Sequence, residues 1–415
     1  MAETETRGGE KRKIVTNKER ERRLKAAKRK KLILRIVFII ASVLILAALV
    51  FLTVTLVKAI KKLADGSSGA SKYYCSTYQL ENAGDADVVT IGETFFILRD
   101  STLMCAADSG SLLWTEELGE GNFKIEAFGD GAVVYAVRGT GVMCFDQSGL
   151  KWEKREDAPI AFVVLGNESG TCLICTEPED CSSRIVYFET KSQKTVSEML
   201  LEKKYTSNHV ISAAISPGGK SIAVAEIAES GETAATRLSV IDVLSGKSFF
   251  SKMIENEICP FCAFAGDTNL VSAGRKNVYV VEKIDRNNAR SARFSTLLAL
   301  GDAGNDVECA LTVKKHLMVS VGNGDGKSDV KIYDLENGGE RSLSVPRNVK
   351  GFLPCGNDAF VCYTQSDFTV HDFEGNKLSS CEEKLDIDYI SADGNLHFAL
   401  RGIYGTILVD VKKAG

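Results

Sequence analysis

Residues 143–149 read Met-Cys-Phe-Asp-Gln-Ser-Gly, an apolar strand followed by an acidic residue and a glycine turn. Similar phrases, some of them degenerate, end at eight turn positions, which are residues 110, 149, 192, 246, 288, 338, 375 and 415. Their mean spacing is about 44 residues, the length of one four-stranded propeller blade. The spacing therefore predicts an all-β chain folded as a β-propeller, with eight blades favoured. Seven blades remain possible, because the marks at 192 and 288 are weak.

The clearest single repeat is the second blade. Its strands are expected at Asn122–Phe128, Ala132–Val137, Gly141–Phe145 and Leu150–Lys154, with short turns rich in Gly, Asp and Ser between them. The widest interval between marks ends at residue 246, and it holds a longer predicted hairpin, Ala228–Ala235.

Closure of the ring depends on the two ends of the propeller, residues 73–415. The last mark falls at residue 415, which leaves the eighth blade without its outer strand. An unassigned strand-like run, Tyr73–Leu80, precedes the first blade. Pairing Tyr73–Leu80 with Thr406–Val411 would complete the eighth blade and remove two exposed sheet edges. We therefore predict this pairing.

Two stretches, Cys105–Trp114 and Cys144–Trp152, resemble the repeat of quinoprotein-type (PQQ-like) propellers, whose outer strand often carries a Trp. Residues 215–224, Ile-Ser-Pro-Gly-Gly-Lys-Ser-Ile-Ala-Val, resemble a WD-type repeat. The order of basic tail, apolar segment and propeller is similar to that of an uncharacterised family of membrane-anchored propellers in Gram-positive (Firmicutes) anaerobes. The resemblance covers most of residues 73–415 and implies architecture more than activity.

The N-terminal part of the chain predicts a membrane anchor. Residues 36–57 contain no charge, and at about 1.5 Å per residue they form roughly 33 Å of helix, enough to cross a bilayer. We expect a transmembrane helix over residues 32–58 and a linker over residues 59–72. A cleaved signal peptide is the alternative, although this apolar run is longer than such a peptide needs.

Charge predicts the topology of that anchor. Residues 1–35 hold fourteen Lys/Arg against five Glu, and the first 31 are expected to be disordered or to lie along the inner leaflet. The positive side of an anchor stays in the cytoplasm, so the chain is expected in the cell membrane as a single-pass protein with an extracytoplasmic propeller. Residues 63–415 hold 34 Lys/Arg against 50 Asp/Glu, which disfavours nucleic acid as a partner.

The twelve cysteines are expected to be mostly buried free thiols: Cys75, Cys105, Cys144, Cys172, Cys175, Cys181, Cys259, Cys262, Cys309, Cys355, Cys362 and Cys381. Cys105 and Cys144 hold the same place in neighbouring blades, which pack at about 10 Å, whereas a disulfide needs Cα atoms within about 7 Å. Cys181 is expected to be exposed in its loop. Whether any pair forms a disulfide stays open.

Two Cys-x-x-Cys pairs have the spacing found in redox and metal sites. Cys172 and Cys175 lie in a predicted strand, where residues three apart point to opposite faces, so core packing is favoured. Cys259 and Cys262 have redox-motif spacing, but they fall in a predicted inner strand rather than at a helix N-terminus. Their redox activity is left open.

No residue is assigned a catalytic, cofactor-binding or metal-binding role, and no cofactor is expected. The histidines at 209, 316, 371 and 397 are scattered without ligand spacing. Residues 322–329 resemble a calcium loop but lack the regular acid spacing, so a hairpin turn is expected.

We therefore expect a non-catalytic binding or scaffolding propeller on the outer face of the cytoplasmic membrane. Its partner would be a protein or cell-envelope component at the membrane surface, and its oligomeric state is left open. A quinoprotein-like enzyme is one alternative, although the chain has no adjacent Cys pair to lie over such a cofactor. An envelope sensor that signals through the basic cytoplasmic tail is another.

Overall fold

The computed structural model describes residues 73–80, 86–107, 111–166, 169–190, 199–230, 233–301, 305–322, 324–381, 386–392, 396–403 and 405–413. These residues form eight antiparallel sheets of four strands each, which confirms the all-β propeller and its eight blades. The predicted tail, transmembrane helix and linker, residues 1–72, lie outside the described residues. Within the described residues, no helix is long and apolar enough to span a bilayer.

Blades 1 to 4 take their strands in chain order, so that each blade is one continuous stretch. The strands are β2 Asp87–Ile91, β3 Thr94–Arg99, β4 Thr102–Ala107 and β5 Leu112–Glu117; β6 Asn122–Phe128, β7 Gly131–Val137, β8 Gly141–Asp146 and β9 Gly149–Arg155; β10 Ile160–Gly166, β11 Thr171–Thr176, β12 Ser183–Glu189 and β13 Met199–Tyr205; β14 His209–Ile215, β15 Ser221–Ser230, β16 Thr233–Asp242 and β17 Ser248–Ile254.

Blades 5 to 7 follow the same order, and blade 8 adds β1 as its outer strand. The strands are β18 Phe261–Ala265, β19 Asn269–Ala273, β20 Asn277–Glu282 and β21 Arg293–Ala299; β22 Asp306–Val313, β23 His316–Gly322, β24 Ser328–Asp334 and β25 Gly339–Val345; β26 Gly351–Cys355, β27 Ala359–Tyr363, β28 Phe368–Asp372 and β29 Lys377–Ser380; β30 Ile387–Ala392, β31 His397–Gly402, β32 Gly405–Lys413 and β1 Tyr73–Leu80. A 3₁₀ helix spans Ala289–Ser291.

The ring closes through β1 and β32, as predicted. The two strands are antiparallel, with Tyr73 opposite Lys413 and Leu80 opposite Thr406. The first strands of neighbouring blades contact one another around the centre, such as β2 with β6 and β14 with β18. Each outer strand lies at the circumference, so the closing pair occupies the rim of blade 8.

The middle strands are buried on both faces, which explains their nearly continuous apolar sequences. All six residues of β11 are buried. Cys172 and Ile174 pack in the core shared with blade 2, whereas Leu173 and Cys175 pack in the core shared with blade 4. The prediction that Cys172 and Cys175 point to opposite faces is therefore confirmed.

The glycines that mark the repeat are required by the backbone. Gly149, Gly246, Gly338 and Gly375 have φ of 112°, 66°, 75° and 86°, in the left-handed region that a side chain disfavours. Gly246, Gly338 and Gly375 lie between the third and outer strands of their blades, and Gly149 is the first residue of its outer strand. The weak mark at residue 288 differs, because Asn288 is not a glycine turn but directly precedes the 3₁₀ helix. Marks 110, 192 and 415 lie outside the described residues.

The strand order defines two faces of the ring. The upper face carries the turns between second and third strands, such as Asp100–Ser101, and the connections between blades, such as residues 118–121. The lower face carries the other turns, such as Gly92–Glu93 and Gln147–Ser148. Because Tyr73 lies opposite the end of β32, the chain enters the ring at the lower face.

Candidate binding site on the upper face

A cavity of about 660 Å³ lies at the upper face of blade 1. It is lined by Asp87, Leu98, Asp100, Ser101, Glu117, Gly119, Glu120, Gly121, Asn122, Phe123 and Arg401. These residues come from blade 1, from the start of blade 2 and from the end of β31 in blade 8. The cavity therefore lies across the two seams that flank blade 1.

Two tight backbone features form its mouth. Asp100 and Ser101 make a two-residue turn in which Asp100 has φ of 52°, and Asp and Asn tolerate this conformation better than most residues. Gly119, in the connection to blade 2, has φ of 86°. The Leu118 amide donates to the Ser101 carbonyl at 2.8 Å, which ties the connection to the turn.

The one cation in the lining is already engaged by acids. Arg401 Nη1 lies 2.5 Å from Asp87 Oδ1, and its Nε lies 3.5 Å from Asp388 Oδ2. Its guanidinium also lies 5.1 Å from the centre of the Tyr389 ring. Burial raises the pKa of the Asp87 carboxyl, while Arg401 opposes that shift. This ion pair closes the seam between blades 8 and 1.

Three further carboxylates lie at the mouth of the cavity, and each belongs to a different element. Asp100 and Glu120 are exposed, and the exposed Glu117 accepts a hydrogen bond from Thr102 Oγ1 at 2.9 Å. Leu98 and Phe123 are buried beneath them. The cavity thus combines an acidic mouth with an apolar floor, a combination that suits a long side chain ending in a cation.

Comparison with another seam explains why the cavity is acidic. Between blades 5 and 6, Arg275 and Lys276 of the upper turn bind Asp306 at the start of the next blade, at 2.7 and 2.8 Å. At the seam between blades 1 and 2 the corresponding turn is Asp100–Ser101. The turn at the seam between blades 5 and 6 supplies two cations, whereas the turn Asp100–Ser101 supplies an acid. The carboxylates between blades 1 and 2 are therefore not neutralised by a cation from this turn.

The second Cys-x-x-Cys pair does not lie as predicted. Cys262 is in β18, but Cys259 precedes it, because Pro260 has no amide to donate and the strand starts at Phe261. Both thiols are buried in one apolar core. Burial raises the pKa of each to about 12, and a neutral thiol is a poor nucleophile and metal ligand.

The other cysteines also lie in structural positions, and all twelve are free thiols. Cys181 is half-buried rather than exposed, because its Sγ points back to the Ser183 carbonyl at 3.4 Å. Cys105 and Cys144 are buried at equivalent places in β4 and β8.

The four histidines are spread over different blades. His209 is exposed, His316 stacks on Phe373 at 4.0 Å, His371 is buried beside Thr369, and His397 Nδ1 lies 2.8 Å from Asp410. Among the described residues, no three His, Cys, Asp or Glu side chains are placed to hold a metal ion. The calcium-like segment is the predicted hairpin, with Gly322 opposite Ser328.

Sequence reasoning missed the cavity on the upper face. The only local signal is the run 117–121, Glu-Leu-Gly-Glu-Gly, in which two acids alternate with two glycines. Its partners Asp87 and Arg401 are remote in sequence, and only the closed ring brings them together.

Comparisons with solved structures show the same architecture. The crystal structure of Chaetomium thermophilum Sqt1 bound to the N-terminus of the ribosomal protein L10 matches with a TM-score of 0.57 and 11% identity, over 80% of this chain and 98% of that chain. Sqt1 from the same organism, in a second crystal structure, gives a TM-score of 0.55 and 11% identity, over 83% and 98%. Kuenenia stuttgartiensis hydrazine synthase gives 0.45 and 13%, over 71% and 97%. At 11% identity the likeness to Sqt1 shows the fold alone, and the hydrazine synthase match carries no argument.

Among functionally curated proteins, no sequence matches this chain. A family model, described as a family of unknown function (DUF5711), matches residues 70–399, which is well over half of the sequence. The chain is therefore a member of the DUF5711 family, and its described residues form an eight-bladed β-propeller.

Proposed function

We propose that this protein is a non-catalytic binding propeller, tethered to the outer face of the cytoplasmic membrane, that holds a basic segment of a partner protein in its upper-face cavity. The observation that carries the proposal is the cavity itself. Four carboxylates from four elements surround it, and its one guanidinium is paired with Asp87.

The chemistry of the lining favours Lys or Arg side chains. Carboxylates such as Asp100 and Glu120 form charge-assisted hydrogen bonds with ammonium and guanidinium groups. Leu98 and Phe123 would contact the aliphatic stem that leads to the charge. The negative balance of residues 63–415 would speed the approach of a cationic segment.

The propeller likeness supports a binding role by example. Sqt1, which has a similar fold, is bound in its crystal structure to the N-terminus of the ribosomal protein L10. That partner belongs to Sqt1. For the present chain, the example supports only that a ring of this kind can hold a terminal segment of another protein.

The sequence supports the tether. The uncharged run 36–57 is long enough to cross a bilayer, and the basic residues before it favour a cytoplasmic N-terminus. In spheroplasts, added protease is expected to digest the propeller, and the chain is expected to stay in the membrane pellet after alkaline extraction. A chain released by alkali, or one protected from protease, would refute the tether or its orientation.

Binding can be tested with the full chain in lipid nanodiscs and three matched synthetic peptides. One peptide carries Lys and Arg, the second carries norleucine at those positions, and the third carries Glu. The cationic peptide is expected to bind tightest, and its affinity should fall as salt rises. Asp100→Asn with Glu120→Gln is expected to weaken its binding about three- to tenfold, since each exposed ion pair contributes up to about 1 kcal/mol.

The matched control lies on the same face in blade 6. Asp325 and Asp329 are exposed there, and Asp325→Asn with Asp329→Asn removes the same number of charges. This control should bind the cationic peptide as the wild type does. Equal binding of all three peptides, or equal loss in both double variants, would show that the cavity is not the site.

A further inference from the structure

The lower rim of blades 1 to 3 carries large apolar side chains that point into solvent. Leu112, Leu150 and Met199 are 60%, 47% and 51% exposed. Each pairs just below the β-bulge of its outer strand, at the lower face, opposite Ala106, Phe145 and Phe188 respectively. The three residues therefore occupy the same structural position in consecutive blades.

Their exposure is not a by-product of blade packing. Two residues further along each outer strand, beyond a β-bulge that places them on the opposite face, lie Trp114, Trp152 and Leu201. Those side chains pack in the cores between blades. None of these three cores includes Leu112, Leu150 or Met199.

Blade 4 continues the series through Leu244, which is 88% exposed in the lower turn between β16 and β17. This turn abuts blade 3, because a Cβ added at Gly246 would lie 3.3 Å from Leu201 Cδ1. Likewise, Trp114 Nε1 donates to the Gln147 carbonyl in the lower turn of blade 2 at 3.0 Å. Outer strands and lower turns thus alternate along one arc.

The distribution of exposed apolar residues is one-sided. Of the eight large hydrophobic side chains exposed in the described part of the chain, six belong to this arc. They are Leu112, Leu113, Leu150, Met199, Leu200 and Leu244. The other two, Ile227 and Ile403, lie toward the upper face. Such clustering marks an interaction surface, whereas single exposed apolar residues are ordinary.

We propose that this arc, the lower rim of blades 1 to 4, rests in the interfacial layer of the bilayer that tethers the chain, which builds on the proposed tether. The chain enters at Tyr73, on the lower face of blade 8 and next to blade 1. Only fifteen residues, 58–72, separate Tyr73 from the apolar run, a reach of at most about 50 Å. The bilayer is therefore the apolar phase within reach of this rim.

The polar residues beside the arc are compatible with lipid headgroups. Lys220 and Lys247 are exposed in the lower turns of blade 4, where the Val243 amide donates to the Lys220 carbonyl at 3.0 Å. Lys151 of β9 in blade 2 lies 2.5 Å from Asp130 in the lower turn between β6 and β7, so this pair adds no net charge. The two lysines favour anionic headgroups at that end of the arc, because Asp242 of the same turn is paired with Arg286 at 3.5 Å.

The test uses the full chain in phosphatidylcholine and phosphatidylglycerol vesicles that contain brominated phosphatidylcholine, which quenches nearby tryptophan. Leu244→Trp reports on the arc, and Ile403→Trp is the matched control, since Ile403 is exposed in the upper turn of blade 8. After subtraction of the wild-type emission, the Leu244→Trp signal is expected to fall at least twofold with brominated lipid. The Ile403→Trp signal should not change.

A second change sharpens the result. Adding Leu150→Ser and Met199→Ser to Leu244→Trp removes two other members of the arc and should roughly halve the quenching. Equal quenching of Leu244→Trp and Ile403→Trp would overturn the proposal. So would protection of Leu244→Trp from both brominated lipid and aqueous iodide, which would place a second protein surface over the arc.

Flotation of the vesicles separates this proposal from the tether. A chain that floats with the vesicles but shows no quenching of Leu244→Trp keeps the tether and refutes the rim contact. A chain that does not float refutes both.

Discussion

Blades 1 to 3 and blades 6 to 8 differ in the aromatic side chains that pack within and between them. In the first group, Trp152 is 1% exposed and packs edge-on against Phe128 and Phe188, at 6.5 and 5.9 Å between ring centres. Trp114 lies between Phe96 and Phe145 with its ring tilted to both, at 6.1 and 5.5 Å between ring centres. These seams are apolar, and every blade in the group is one continuous stretch of chain.

Blades 6 to 8 contain histidine rings stacked on phenylalanines and a strand from the far end of the sequence. His316 of blade 6 stacks on Phe373 of blade 7, and within blade 7 His371 stacks on Phe360 at 5.7 Å. Blade 8 is complete only with β1, which precedes blade 1 in the chain. We infer that a buried histidine and the closing strand both contribute to the stability of the second group.

The largest effect is expected from loss of the closing strand. Replacing Tyr73–Leu80 by eight Gly and Ser residues keeps the spacing to the N-terminal segment but leaves β32 as an open edge. Ring closure should fail, at a cost of more than about 5 kcal/mol, which is comparable to the whole stability of many domains. Solubility and the thermal unfolding midpoint of the full chain in detergent would measure it.

The control replaces the outer strand of blade 2, Gly149–Arg155, by Gly and Ser residues but keeps Trp152. An equal loss of stability in this control would contradict the difference between the two groups of blades. That strand is covalently attached to its neighbour by a short turn. The blade 8 strand instead has to be brought together with a partner strand more than 300 residues away.

A smaller effect is expected from the tryptophans of the first group. Trp152→Ala should lower the free energy of unfolding by about 3–5 kcal/mol, because a fully buried aromatic side chain leaves a large void. Trp114→Ala should cost roughly half as much, since Trp114 is half-buried. Urea unfolding followed by circular dichroism measures both, and Trp152→Phe should restore part of the loss. Equal losses at the two sites would contradict the difference in burial.

The smallest effect is expected from His371, and it depends on pH. Burial lowers the pKa of His371 to about 4, with Lys377 adding to the shift while a backbone hydrogen bond at Gly375 and the charge of Asp372 oppose it. The unfolded chain has the ordinary value near 6.5 and binds more protons between the two values. Stability should therefore fall as pH drops from about 6.5 to 4, by about 2–3 kcal/mol from this group.

The measurement is the difference between wild type and His371→Gln in the free energy of unfolding across that pH range. The variant should lose this part of the pH dependence. His209→Gln removes an exposed histidine in blade 4 and serves as the control, because it should leave the profile unchanged. A His371→Gln profile parallel to the wild type would show that His371 does not titrate in this way.

Much of the fold could be predicted because it depends on local signals, the turn residues and the apolar strands between them. Gly149 and Gly246 are needed where φ is positive, and strands of apolar residues between such turns specify four-stranded blades. The closing pair was predictable from an incomplete last repeat and an unassigned first strand. Cys259 lies outside the predicted strand because Pro260 has no amide to donate, so the strand starts at Phe261, later than the apolar pattern indicates.

The candidate site was much less predictable. Asp87, Glu120 and Arg401 carry no motif, and exposed acids are common in any sequence. Whether these residues form a site depends on which turns lie opposite one another where two blades meet. The exposed leucines of the lower rim are equally ambiguous in sequence, because Leu150 and buried Trp152 are both apolar members of one strand.

The sequence by itself determined the four-stranded repeat, with eight blades favoured over seven, the pairing of its ends and the uncharged segment before them, because these follow from turn geometry, strand period and hydrophobic length along the chain. Only the tertiary structure decided that Arg401 pairs with Asp87 while Asp100 has no cation in its own turn, and that the apolar residues of four blades share one arc. The physical reason is that charge pairing and exposure are properties of neighbours in space, and in a closed ring such neighbours can lie more than 300 residues apart in the chain.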